Sequence, residues 1–122
     1  MTSRDPTNIY STLAAMGEYF EPATVAEVND HRVDVVKAKG EFIWHLHEDT
    51  DDTFLVIRGE ITVQLRDRDV QLREGDIFVV PRGIEHRPIA QSEAHVLLFE
   101  RAGTDGTGGP GVGRDVHQDA PS

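Results

Sequence analysis

The chain of 122 residues has room for one domain with one modest core. Its 12 basic residues against 22 acidic ones give a formal charge of −10, which argues against nucleic acid or an anionic membrane as a partner. Cysteine is absent, which excludes disulfides and thiolate ligands; with no apolar leader and no run approaching about 18 apolar residues, the expectation is a soluble, cytoplasmic protein.

The first periodic segment, residues 8–16, places Ile9, Leu13 and Met16 at i, i+4 and i+7. That spacing predicts a short amphipathic helix, with Asp5 or Thr7 as N-cap and Gly17 as its stop. So short a helix does not hold alone in water and must dock on a surface. Pro22 ends the lead-in. From there short β-rich runs recur, predicting strands at residues 24–28, 32–39, 42–48, 53–58, 60–66, 69–72, 76–80, 85–89 and 94–100. Asn29-Asp30, Gly40, Gly59-Glu60, Arg68-Asp69, Glu74-Gly75 and Pro81-Arg82-Gly83 supply the turns. Many short strands at close spacing indicate an all-β, antiparallel sandwich or jelly-roll barrel. The expected organisation is a helical lead-in over residues 1–21, a barrel over 22–101 and a tail over 102–122. Six of the eleven residues from 103 to 113 are glycine, so the tail is expected to be flexible or to drape over the barrel, with His117 idle in it.

His45 and His47 are the first residues that suggest chemistry. In a strand, residues i and i+2 point to the same face, and their Cα atoms sit roughly 6.6 Å apart, so both rings can meet one ion. On a helix the same spacing would send them apart. Asp52 adds a hard oxygen ligand and His86 a third nitrogen from a distant strand. This inventory suits a divalent transition metal with open coordination positions: iron, manganese, nickel, cobalt or zinc. A lone histidine would be read as a core residue bonded to backbone carbonyls. Three of them converging with an aspartate would waste space that Leu or Val fills more cheaply.

These residues lie in two stretches, Gly40 to Gly59 and Gly75 to Ala90, that resemble the paired motifs of the cupin superfamily of small β-barrels. The first motif reads G-x5-H-x-H-x3/4-E-x6-G and the second G-x5-P-x-G-x2-H-x3-N. Fifteen residues, 60–74, lie between them, similar to compact bacterial cupins. Gly40 precedes His45 by four residues where the motif has five, Asp52 stands where the motif has a ligand glutamate, and Ala90 where it has asparagine. The resemblance covers about residues 22–101. It implies a jelly-roll barrel, isomerase- or dioxygenase-like metal chemistry on a small organic molecule, and a homodimer. Two alternatives stay open: a non-catalytic sensor or carrier of a metabolite, and a degenerate barrel without metal, which Asp52 and Ala90 keep in play. Asp52 is shorter than glutamate by one methylene, about 1.5 Å of reach. It is expected to ligate directly or through water, or to leave a three-histidine site.

Strand parity assigns the faces. With His45 and His47 inward, Ile43 is inward too, and Trp44 and Leu46 point out, where they and the helix suggest a partner surface. Asp52, Phe54 and Val56 share the inner face, and Arg58 shares their parity and is expected to reach a rim. His86, Pro88 and Ala90 form another inner row. His95 alternates with Leu97 and Phe99, so Phe54, His95 and Phe99 are the expected substrate-binding residues, with His95 as proton shuttle or strand residue. His31 is expected to be exposed, and Glu48, Asp49 and Asp51 to be solvated loop charges. The expected ligand is compact, with one chelating oxygenated end and an apolar remainder, since no Lys or Arg cluster suits a sugar phosphate.

Overall fold

The computed structural model describes residues 5–103, so His117 and the glycine-rich tail lie outside the described residues. One short helix, α1 (Ile9–Ala15), precedes seven strands: β1 (Ala23–Val28), β2 (His31–Glu41), β3 (Asp52–Arg58), β4 (Ile61–Leu65), β5 (Asp69–Leu72), β6 (Ile77–Val80) and β7 (His86–Arg101). All strand pairs are antiparallel, in the jelly-roll arrangement the turn spacing indicates.

The cap falls one residue after Thr7 and three after Asp5, the expected positions. Asn8 is the N-cap, its Oδ1 accepting from the Tyr10 and Ser11 amides at 2.9 and 3.0 Å. Leu13 is the anchor, buried to 2% exposure on the barrel, and the Lys37 ammonium donates to the Met16 carbonyl at 2.8 Å just past the last turn. The helix therefore finds its surface on its own chain. Trp44 does too: the Arg66 guanidinium lies 3.7 Å from its ring centroid, and Arg87 approaches from farther out.

The longest element, β7, organises the barrel. β2 pairs with it along nearly its whole length on one side. On the other side β4 pairs with its beginning and β3 with its end. The sequence suggests a break between residues 89 and 94, but β7 runs through as one strand. The partner changes where the β3–β4 turn crosses it. That turn needs Gly59 twice over. Its φ of 84° lies in the left-handed region, and a Cβ there would come within 3.2 Å of Ala94 and of the Glu93 carbonyl.

The other departure is the expected strand at 42–48, which forms no ladder. The segment lies antiparallel beside the start of β7, joined by Phe42 N–H to Pro88 O at 3.1 Å and by reciprocal bonds between His45 and His86 at 3.0 and 2.9 Å. Pro88 has no N–H to return a bond, and the register slips by one residue between these contacts. Alternation survives without the ladder, because Ile43, His45 and His47 are all buried.

Replacing Gly59 by alanine is expected to lower unfolding free energy by more than about 1 kcal/mol, read as a fall in the urea midpoint at unchanged m-value. An unaltered midpoint would show that the turn can move off Ala94.

Candidate metal centre

Three elements bring four candidate ligand side chains to one point. The extended 42–47 segment carries His45 and His47, the first residue of β3 is Asp52, and the first residue of β7 is His86. Local bonds fix each approach. Gly83, with φ 82° in the turn before β7, donates its N–H to the His47 carbonyl at 2.7 Å. The Thr50 hydroxyl accepts from the Arg101 amide at 3.1 Å, and Asp51 accepts from the Arg82 amide at 2.9 Å, so the loop leading into Asp52 is tied to both neighbours. Glu48, Asp49 and Asp51 themselves are exposed, as expected of loop charges.

The result is a buried group in which one ligand atom from each of His45, His47, Asp52 and His86 lies within 4.8 Å of all the others. Asp52 Oδ2 is 3.4 Å from His47 Nε2 and 3.5 Å from His86 Nε2, so the shorter carboxylate does reach the imidazoles. The rings of His45 and His86 have centroids 4.4 Å apart. His45 Nδ1 donates to the Ile43 carbonyl and His86 Nδ1 to the Ile84 carbonyl, each at 2.9 Å. A carbonyl can only accept, so Nδ1 carries a proton in both rings, and in the neutral tautomer this fixes, the Nε2 lone pair faces the cluster. Buried as they are, His86 Nε2 and Asp52 Oδ1 have no hydrogen-bond partner. The His45 and His86 lone pairs converging on a buried carboxylate repel it, and a cation among them removes the conflict. The donor set, three imidazoles and one carboxylate, fits a divalent metal ion.

Burial, and then the neighbouring His86 imidazole, push His45 down to about 3 from the ordinary 6.5. Burial would raise the Asp52 carboxyl, but the adjacent His47 and His86 side chains outweigh it and hold Asp52 below the usual carboxylate range. Burial and then the Asp52 charge push Glu100 up to about 7, against the pull of Arg32.

Beside the cluster a cavity opens, lined by Phe20, Phe42, Phe54, Pro88, Leu98 and Glu100 among others. Phe54 lies where sequence reasoning puts it. His95 and Phe99 do not line this cavity. Since β7 is continuous, the inward parity of His86, Pro88 and Ala90 carries on through Ala94, Val96 and Glu100, and odd-numbered residues face out. His95 instead bonds to Glu93 at 2.8 Å, and Phe99 stacks on the half-buried His31 with centroids 5.1 Å apart. Arg58 is also turned away, because a register shift between Val56 and Arg58 ends the parity it would share with Asp52. Sequence reasoning missed Glu100 and the aromatic pair Phe20 and Phe42, stacked at 5.1 Å. Continuous parity from His86 would have found Glu100. Nothing local would have found Phe20, whose φ of 61° turns the lead-in back so that its N–H reaches the Lys37 carbonyl.

The depressed His45 gives a sign for acid behaviour in the metal-free protein. Between pH 6.5 and about 3 the unfolded chain takes up a proton on this ring that the folded chain refuses, so stability falls as pH drops through that window. Replacing His45 by glutamine is expected to flatten the decline by an amount on the order of a few kcal/mol, measured by urea unfolding of metal-free protein across pH. A slope identical to wild type would contradict it.

The sequence profile of the Cupin domain family matches residues 31–100. A cupin-2 domain protein from Shewanella frigidimarina superposes with a TM-score of 0.75 at 35% identity, over 77% of this chain and 92% of that one. The uncharacterised Bacillus subtilis protein YdbB is 37% identical over 65 residues, 52% of this chain and 58% of its own. Similarity extends to 3-hydroxyanthranilate 3,4-dioxygenase from Xenopus tropicalis, 25% identical over 108 residues, 82% of this chain but 38% of the dioxygenase. The chain thus spans less than two thirds of the length of either curated relative. No helix among the described residues is long and apolar enough to cross a membrane. With the profile covering both histidine motifs, the chain belongs to the cupin family.

Proposed function

We propose that the chain is a metal-dependent enzyme acting on a small organic metabolite, with dioxygenase-type chemistry. The observation that carries this reading is the convergence of three imidazoles and Asp52, with partnerless buried atoms among them, at the polar end of a cavity that is otherwise largely apolar. The similarity to 3-hydroxyanthranilate 3,4-dioxygenase supports the dioxygenase type over the isomerase type.

His45, His47, His86 and Asp52 would hold the ion. A divalent metal there would supply Lewis acidity toward a substrate oxygen and, if redox-active, one-electron chemistry with dioxygen. The protein's own part is to bind, orient and keep water out. The two Nδ1–H···O=C bonds hold two of the rings with their Nε2 atoms aimed at the ion, which spares reorganisation during reaction. Phe20, Phe42, Phe54 and Leu98 form a wall for the apolar body of the substrate. The cavity has a volume of about 50 Å³, by a measure in which one water needs roughly 10–15 Å³. It suits a compact molecule with one oxygenated end and excludes a bulky one.

The test combines metal analysis with dioxygen uptake. Protein purified without added metal is expected to carry a divalent transition metal, and His47→Ala and His86→Ala to lose at least about tenfold in content. Iron-loaded wild type is expected to consume dioxygen with at least one member of a panel of small hydroxylated aromatic and aliphatic acids, and the variants are not. Metal retained in both variants would refute the site. Metal bound with no uptake on any member would refute the dioxygenase reading and favour a non-catalytic binding protein.

A further inference from the structure

We infer that Glu100 is a substrate-contacting carboxyl. It accepts a hydrogen bond from a hydroxyl or amino group of a ligand whose adjacent oxygen meets the metal centre. The inference rests on the reading of the His45, His47, Asp52 and His86 cluster as a metal site and adds the substrate class: a compact apolar body carrying two neighbouring polar groups, one a chelating oxygen and the other a hydrogen-bond donor.

Placement comes first. Thr53 of β3 lies opposite Phe99 of β7, so the next pair of positions along these antiparallel strands is Asp52 and Glu100. Both side chains are buried, and both line the cavity together with His45 and His47. The rest of the lining is apolar, so a ligand entering it meets polar groups at two places only, the metal cluster and Glu100.

The charge of Arg32 does not by itself call for Glu100. Arg32 Nε is 3.1 Å from Asp34 Oδ2, and the other Asp34 oxygen accepts from the Thr24 hydroxyl at 2.7 Å. That arrangement already gives the half-buried guanidinium a carboxylate. Glu100 is a second one, bonded to Arg32 Nη2 through Oε2 at 2.9 Å. A second buried carboxylate on one guanidinium, next to the Asp52 charge, carries a desolvation cost beyond that of the Arg32–Asp34 pair. The expense is explained if the carboxyl meets a ligand. Arg32 is then a positioning residue, holding one oxygen of Glu100 and so fixing the plane in which the carboxyl faces the cavity.

The probes are catechol, with two neighbouring hydroxyls, and 2-methoxyphenol, in which one is methylated and cannot donate. Binding of each to cobalt-loaded wild type and to cobalt-loaded Glu100→Gln is measured by calorimetry, with cobalt content and circular dichroism recorded for both proteins. Wild type is expected to prefer catechol, and Glu100→Gln to lose about tenfold of that preference at unchanged cobalt content. Glu100→Asp keeps the charge but withdraws it by one methylene, and is expected to lose a similar share; it decides the matter should the glutamine variant not fold. Catechol preference preserved in a folded, cobalt-loaded variant would overturn the role of Glu100. Cobalt bound by wild type without binding of catechol would overturn the substrate class. Failure of wild type to bind cobalt would overturn the metal reading itself, and is seen separately in the metal analysis.

Discussion

The reciprocal backbone pairing of His45 with His86 is the contact on which the site depends. It joins segments far apart in sequence, and it is made between two residues of the cluster themselves, so strand pairing and placement of these imidazoles are one event. One residue of slip would turn His45 and His47 out to solvent and bring Trp44 and Leu46 into the cavity. Several features hold the register against that slip. Pro88 offers no N–H for an alternative ladder, the Gly83 amide grips the His47 carbonyl, and Arg66 holds Trp44 on the outer surface.

Around this pairing, the electrostatics of the cavity are organised so that charge is either neutralised nearby or left facing the cavity. Arg32 is placed between Asp34 and Glu100 on one flank. On the other, Asp52 stands among imidazoles whose proton positions are set by backbone carbonyls. Histidines bonded to carbonyls are the ordinary way of burying this residue, and here that satisfies only the Nδ1 side. His86 Nε2, left without a partner, separates a ligand from a core histidine. The stability cost of such an arrangement is carried by an apolar core, with Val56, Val63 and Val80 almost fully buried behind the site.

The barrel and the convergence of His45, His47, Asp52 and His86 were legible in the sequence because both depend on period-two alternation and on turn residues, which are local signals. Ile43, His45 and His47, then Asp52, Phe54 and Val56, keep their predicted faces. What could not be read depended on non-local geometry. The break suggested between residues 89 and 94 conceals a continuous strand, and with it the parity that turns His95 and Phe99 outward and Glu100 inward. The register shift after Val56 cancels the face expected for Arg58. Phe20 enters the cavity wall through a left-handed backbone conformation that no periodicity announces. Reach, too, is a tertiary property: Asp52 is one methylene short, and only the tethered loop before β3 shows that this suffices.

The central claim is that His45, His47, His86 and Asp52 bind one ion together. X-ray absorption at the metal edge of the zinc- or cobalt-loaded protein tests it most directly. The account predicts an N/O-only first shell at about 2.0–2.2 Å with outer-shell scattering from three imidazoles, falling to two in His86→Ala. A spectrum lacking imidazole scattering, or one unchanged by His86→Ala, would contradict it.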